Sequence, residues 1–207
     1  MKKKSLLQFL LLSLMVAMAS CSSETKTTTS NDEKEVSKQL EIVYNDSIQK
    51  TFFGVSFGAE RKEVIQKMSE HHLSFDSYNS TETTLRFSSS QGRVFTFGGM
   101  SWEMLDIGLS NSRFYYIRFM NAHNDKAAAL QNFDNLLSTV STKYSMNEIT
   151  PRDSTEYKKS AGYSKRDPHH EVVIKAYRYE SIGKKILNGV SLEYFDTDYK
   201  STVIDEL

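Results

Sequence analysis

Four runs between residues 83 and 120 alternate apolar with polar side chains, and that period of two constrains the fold more than anything else in the chain. Residues 83–88 alternate through Leu85 and Phe87, and 93–97 through Phe95 and Phe97. Residues 103–109 do so through Leu105, Ile107 and Leu109, and 113–120 through Tyr115, Ile117 and Phe119. Successive strand side chains point to opposite faces, so each run buries one face only. That pattern favours an antiparallel sheet over a doubly wound parallel one, whose strands are apolar on both faces. Ser88-Ser89-Ser90-Gln91-Gly92, Gly98-Gly99 and Ser110-Asn111-Ser112 are connections short enough for hairpins. Two more strands are expected over 171–180 and 189–196, and shorter extended runs over 40–44 and 51–57.

A helix is expected over 59–71, with Val64, Ile65 and Met68 on one face. A second, capped by Asn124 or Asp125, places Leu130, Phe133, Leu137, Val140 and Tyr144 at helical spacing. Residues 150–167 are polar and read as a long loop or weak hairpin, and no internal repeat is visible. The expected fold class is α+β: a single antiparallel sheet with two helices packed on one face.

The N-terminus reads as an address. Lys2-Lys3-Lys4 precedes an almost unbroken apolar run over 6–19, the n- and h-regions of a signal peptide. Its fourteen residues span about 21 Å as a helix, short of the ~30 Å hydrocarbon core. The only cysteine follows, and Met18-Ala19-Ser20-Cys21 resembles a bacterial lipobox with Met where Leu is usual. The resemblance implies a diacylglyceryl thioether on Cys21 and acylation of the new N-terminus after cleavage. Several acyl chains anchor stably where one binds marginally. Ser22, rather than Asp, resembles the sorting rule for the outer membrane, at its periplasmic face or the cell surface. Residues 22–37 hold Val36 as their only large apolar side chain, a flexible spacer reaching about 20–24 Å. The expected domains are 1–20 signal peptide, 21–38 tether with lipidated Cys21, and 39–207 a single α+β domain.

Of the 26 basic residues, three are Lys2, Lys3 and Lys4, leaving 23 against 26 acidic ones in the rest of the chain. Such a balance carries no electrostatic footprint for nucleic acid. One cysteine excludes an internal disulfide framework and any zinc site needing two or more cysteines.

Phe53-Gly54-Val55-Ser56-Phe57-Gly58-Ala59-Glu60-Arg61-Lys62-Glu63-Val64 resembles the opening of small envelope lipoprotein domains: a strand ends in Phe-Gly, polar residues open a helix, and Glu-Val begins its buried face. The SmpA/assembly-factor-E family of outer-membrane lipoproteins begins its compact domain in this way. The resemblance implies a non-catalytic binding or assembly role at the outer membrane.

Candidate chemistry is sparse. Gly54-Val55-Ser56-Phe57-Gly58 matches the G-x-S-x-G of a nucleophile elbow, with Asp153 or Asp167 and then His169 or His170 in serine-hydrolase order. The alternating strands do not suit that fold, and helix-entrance glycines explain the same residues. His71-His72 and His169-His170 lack the spacing of metal pairs, so neither metal nor cofactor is expected. Asp153-Ser154-Thr155 reads as an Asx-type turn. A Tyr/Arg surface of the kind enriched at protein interfaces is expected from Tyr116, Arg118, Tyr177 and Arg178, with Trp102 as a loop anchor or contact residue. The expected function is a lipid-anchored, non-enzymatic envelope protein that binds or assembles with an envelope partner. The alternatives are a lipid-anchored serine esterase using Ser56 and a lipoprotein binding a small ligand or glycan.

Overall fold

The computed structural model describes residues 47–89, 94–164, 166–181 and 183–199. Cys21, the signal peptide, the tether and the run at 40–44 lie outside the described residues. In chain order the elements are β1 (Thr51–Phe52), β2 (Val55–Ser56), α1 (Arg61–Glu70), β3 (Leu73–Asp76), β4 (Thr84–Ser89), β5 (Phe95–Phe97), β6 (Met100–Trp102), β7 (Met104–Ser110), β8 (Arg113–His123), α2 (Lys126–Ser141), β9 (Met146–Glu148), β10 (Glu156–Ser164), β11 (Asp167–Glu180) and β12 (Ile186–Asp196).

Eight strands form one antiparallel sheet in the order β3-β4-β7-β8-β12-β11-β10-β9. The inward members of the alternating runs share one core: Leu85, Phe87, Leu105, Ile107, Ile117 and Phe119, continued by Leu192 and Tyr194 of β12 and Val172 and Ile174 of β11. Val64 and Met68 of α1 and Phe133, Leu136 and Val140 of α2 close the same core. Asp125 caps α2, its carboxylate accepting from the Ala127 backbone N–H at 3.0 Å. The order of elements repeats. A helix and a four-stranded meander (α1, β3-β4-β7-β8) are followed by a second helix and meander (α2, β9-β10-β11-β12), joined where β8 pairs with β12.

This architecture corrects the expected α+β fold of a single sheet with two helices: the described residues are mostly β, 52% of them strand, with two small sheets besides the large one. Residues 51–57 and 95–102 leave the large sheet because their turns are tight. Phe53 and Gly54 have φ of 52° and 77°, and Gly98 and Gly99 have 60° and 78°, the positive values of two-residue hairpin turns that match strand twist. The β1-β2 hairpin carries Phe52 into an aromatic cluster with Phe57, Phe97, Phe114, Phe119 and Tyr194. The β5-β6 hairpin stacks Phe97 on Phe119 at 4.2 Å. A Cβ on Gly98 would stand 3.2 Å from Leu192 and one on Gly99 3.2 Å from Thr139, so that turn is pressed between β12 and α2.

A second correction concerns residues 150–167. Most of that polar stretch is β10, paired to β11 along its length and to β9 at Ser160, Ala161 and Gly162. Its buried positions are these three small residues and Ser164, so burial there leaves no apolar signature.

Candidate functional site

The sheet face turned away from the helices carries registered rows of side chains. Asp76, Arg86, Asp106, Arg118 and Glu193 stand directly opposite one another across β3, β4, β7, β8 and β12. Lys175 of β11 extends the row, 3.1 Å from Glu193 and 3.8 Å from Glu156 of β10. Charge sign therefore alternates through seven residues on seven strands. Opposite charges facing across strands stabilise by a few tenths to about 1 kcal/mol each.

Asp106 is the centre of the row and only 1% exposed. Arg86 donates from Nε and Nη2 at 2.7 and 2.8 Å to its two oxygens, and Arg118 donates from Nη2 at 2.7 Å. Burial pushes the Asp106 carboxyl up, but the two guanidiniums outweigh it and hold the carboxyl below the usual carboxylate range. Glu193 is equally buried and is held by the Ser191 hydroxyl at 2.7 Å as well as by Lys175. Arg118 Nε is buried and has no acceptor among the described residues.

Tyrosines flank the charged row, and two of them lie over glycines. A Cβ on Gly108 would stand 2.9 Å from a ring carbon of Tyr116, and one on Gly189 would stand 2.6 Å from Cζ of Tyr177. Tyr116 faces Gly108 and Tyr177 faces Gly189 in register, so each ring covers a position with no side chain of its own. Tyr116 stacks on Phe195 at 4.6 Å, and Tyr177 lies 5.8 Å from Tyr179. Burial pushes the Tyr177 hydroxyl up to about 12 and the Tyr116 hydroxyl well above its usual value, so both stay protonated near neutral pH. Tyr115 also comes within 3.1 Å of the Gly108 Cβ position, because a bulge between Gly108 and Leu109 slips the register. That bulge corrects the expected core set of β8: Phe114 and not Tyr115 is buried with Ile117 and Phe119.

Beside this surface a cavity of about 490 Å³ is lined by Arg86, Met104, Arg118, Met120, Asn121, Tyr177, Tyr179 and the turn residues Glu180, Ser181 and Gly183. Met104 and Met120 face each other in register across β7 and β8.

The expected interface residues divide. Tyr116, Arg118 and Tyr177 stand together on this face. Arg178, next to Tyr177 in β11, points to the opposite, helix-bearing face, with its backbone N–H donating to Thr155 O at 2.7 Å. Trp102 is fully buried, and its Nε1 donates to Phe97 O at 2.8 Å, so it anchors the β5-β6 turn from within the core and offers no contact surface. Asp106, Glu193, Met104 and Met120 are not legible in the sequence as site residues. The polar residue alternating with Leu105 and Ile107 is the one trace Asp106 leaves in the sequence, and only strand register shows what stands opposite it.

A second cluster lies at the other end of β11. His170 Nδ1 is 2.6 Å from Asp167 Oδ1, Asp167 is 2.8 Å from Lys50 Nζ, and the His170 ring stacks on Phe57 at 5.7 Å. Burial pushes the Asp167 carboxyl up, and Lys50 and His170 hold it below its usual range. Of the sequence order Ser56…Asp167…His170, Asp167 and His170 form this pair, while Ser56 Oγ shares a 2.7 Å hydrogen bond with Thr51 Oγ1 on the exposed side of the β1-β2 hairpin. Asp153 accepts from the Thr155 N–H at 2.8 Å, the Asx turn expected there. His169 pairs with Asp198 at 2.6 Å, and the His71 ring packs on Phe53. Among the described residues no three His, Cys, Asp or Glu side chains converge as a metal site, and no helix is long and apolar enough to cross a membrane.

A scan against protein-family models, a search of curated proteins and a search of solved structures each return no match to this chain.

Proposed function

We propose that the chain is a lipid-anchored, non-enzymatic cell-envelope protein that uses the open sheet face to hold an envelope protein partner. The observation that carries this reading is the pair of glycines beneath Tyr116 and Tyr177. A sheet face that needed only to meet water would place polar side chains at Gly108 and Gly189. Empty positions under flat rings instead give a smooth surface of tyrosine, methionine and guanidinium, the residue types enriched at the energetic centres of interfaces. The interlocked charges beneath it fix that surface in advance, so little side-chain entropy is lost on docking. The lipobox-like Met18-Ala19-Ser20-Cys21 and the polar spacer after it support an anchor at the outer membrane.

A photo-cross-linking residue placed at Tyr115 or at Arg178 of the full-length protein in intact cells tests the reading. One dominant adduct is expected from position 115 and none from 178, and the adduct weakens when Cys21→Ala removes the anchor. Equal adducts from both positions, or none from either, would contradict it.

A further inference from the structure

The charge count around the cavity is uneven. Arg86 and Arg118 bring two guanidiniums to it, while Asp106 behind them is 1% exposed and already accepts three N–H bonds. Glu193 is turned to Lys175 and Ser191. Asp76, opposite Arg86, accepts from the Asn79 backbone and side-chain N–H groups at 3.0 and 2.7 Å. Among the described residues the one acid lining the cavity is Glu180, at the exposed C-terminal end of β11. The lining itself therefore carries two guanidiniums against the one carboxylate of Glu180, and Arg118 in that lining has a buried Nε with no acceptor among the described residues. Planar guanidiniums recognise carboxylates through paired N–H bonds. The remaining walls, Met104, Met120, Tyr177 and Tyr179, are apolar or aromatic.

We infer that this cavity binds a carboxylate carried on an apolar body, held by Arg86 and Arg118 with its body against the methionines and tyrosines. The inference rests on the reading of the open face as a binding surface and names the chemistry that its deepest part accepts. The same chemistry occurs in a small free acid and in the C-terminal carboxylate of a chain that ends on this face. Asp106 works here as a positioning residue, aiming two guanidiniums whose outer edges remain for the ligand.

Calorimetric titration of the detergent-solubilised full-length protein tests it, with three probes: N-acetyl-Leu-Phe as the free acid, the same dipeptide as its amide, and phenylacetate. The dipeptide acid or phenylacetate is expected to bind, with the amide at least about tenfold weaker, the effect of losing one charge-assisted contact. Arg86→Gln, a half-exposed position, should weaken acid binding by about tenfold. Tyr179→Ala at the rim should weaken it as well without touching the charged row, while Arg178→Gln on the other face leaves it unchanged. Tighter binding of the dipeptide acid than of phenylacetate assigns the site to a chain terminus, and the reverse order assigns it to a free acid. Equal affinity for acid and amide, no heat from any probe, or indifference to both Arg86→Gln and Tyr179→Ala would overturn the inference. If the titrations fail while position 115 still cross-links, the carboxylate site falls and the protein-binding face stands.

Discussion

At the residue scale, Asp106 sets the character of the open face. A carboxylate this buried is tolerated because two arginines meet it, and removing one partner of such a group typically costs several kcal/mol. Asp106→Asn should lower stability by about 3 kcal/mol at neutral pH. The sign of the pH dependence follows from the depressed carboxyl. In the folded protein Asp106 titrates below its unfolded value of about 3.9, so its contribution is complete above that pH and is lost as pH falls through the lower, folded value. Urea unfolding of both proteins from neutral pH down to about pH 3 should show the gap between them narrowing only in the acid range. A gap that stays constant across the range would mean that Asp106 is not held ionised by Arg86 and Arg118.

At the scale of elements, the strands differ in what a glycine does for them. Gly108 lies against Cβ and Cδ1 of Tyr116, close to the backbone of β8, whereas Gly189 lies against the far end of the Tyr177 ring. A methyl group at Gly189 can be accommodated by swinging that ring aside, but one at Gly108 presses on atoms that cannot move without the strand. Gly108→Ala should therefore destabilise more than Gly189→Ala, toward the upper part of the roughly 1–3 kcal/mol range for overpacking. Chemical denaturation midpoints in the reverse order would refute the geometry. The same contrast explains what the sequence could disclose. Strands whose inward residues are large, such as Leu105, Ile107, Ile117 and Phe119, announce themselves by alternation. A strand that buries Ser160, Ala161 and Gly162 does not, because small residues pack between neighbours without leaving an apolar rhythm. Tyr115 misleads for another reason: the alternation Tyr115, Ile117, Phe119 is unbroken in sequence, and the bulge that moves Phe114 inward is set by the partner strand. Tyr116, Arg118 and Tyr177 were legible as one surface because they occupy outward positions of recognisable strands. Arg178 shares only their residue type, and adjacency to Tyr177 in β11 puts it on the opposite face.

At the scale of the whole molecule, two helix-plus-meander units meet edge to edge at β8 and β12. Among the described residues, α1, α2 and both small hairpins supply side chains to the core on one side of the sheet, and the other side is finished by the sheet's own residues. The row of alternating charges crosses the joint between the units at Arg118 and Glu193, so the surface is continuous across it. Rings laid over empty positions and charges locked beneath them make a face that costs little to dock against. The most direct test is partner cross-linking in intact cells by Gly189→Ala, in which the fold is kept and the Tyr177 ring is displaced. The account requires capture from position 115 to fall sharply while circular dichroism and the buried Trp102 fluorescence stay native. Full capture by a folded Gly189→Ala protein would contradict the claim that the flat tyrosine surface is what the partner reads.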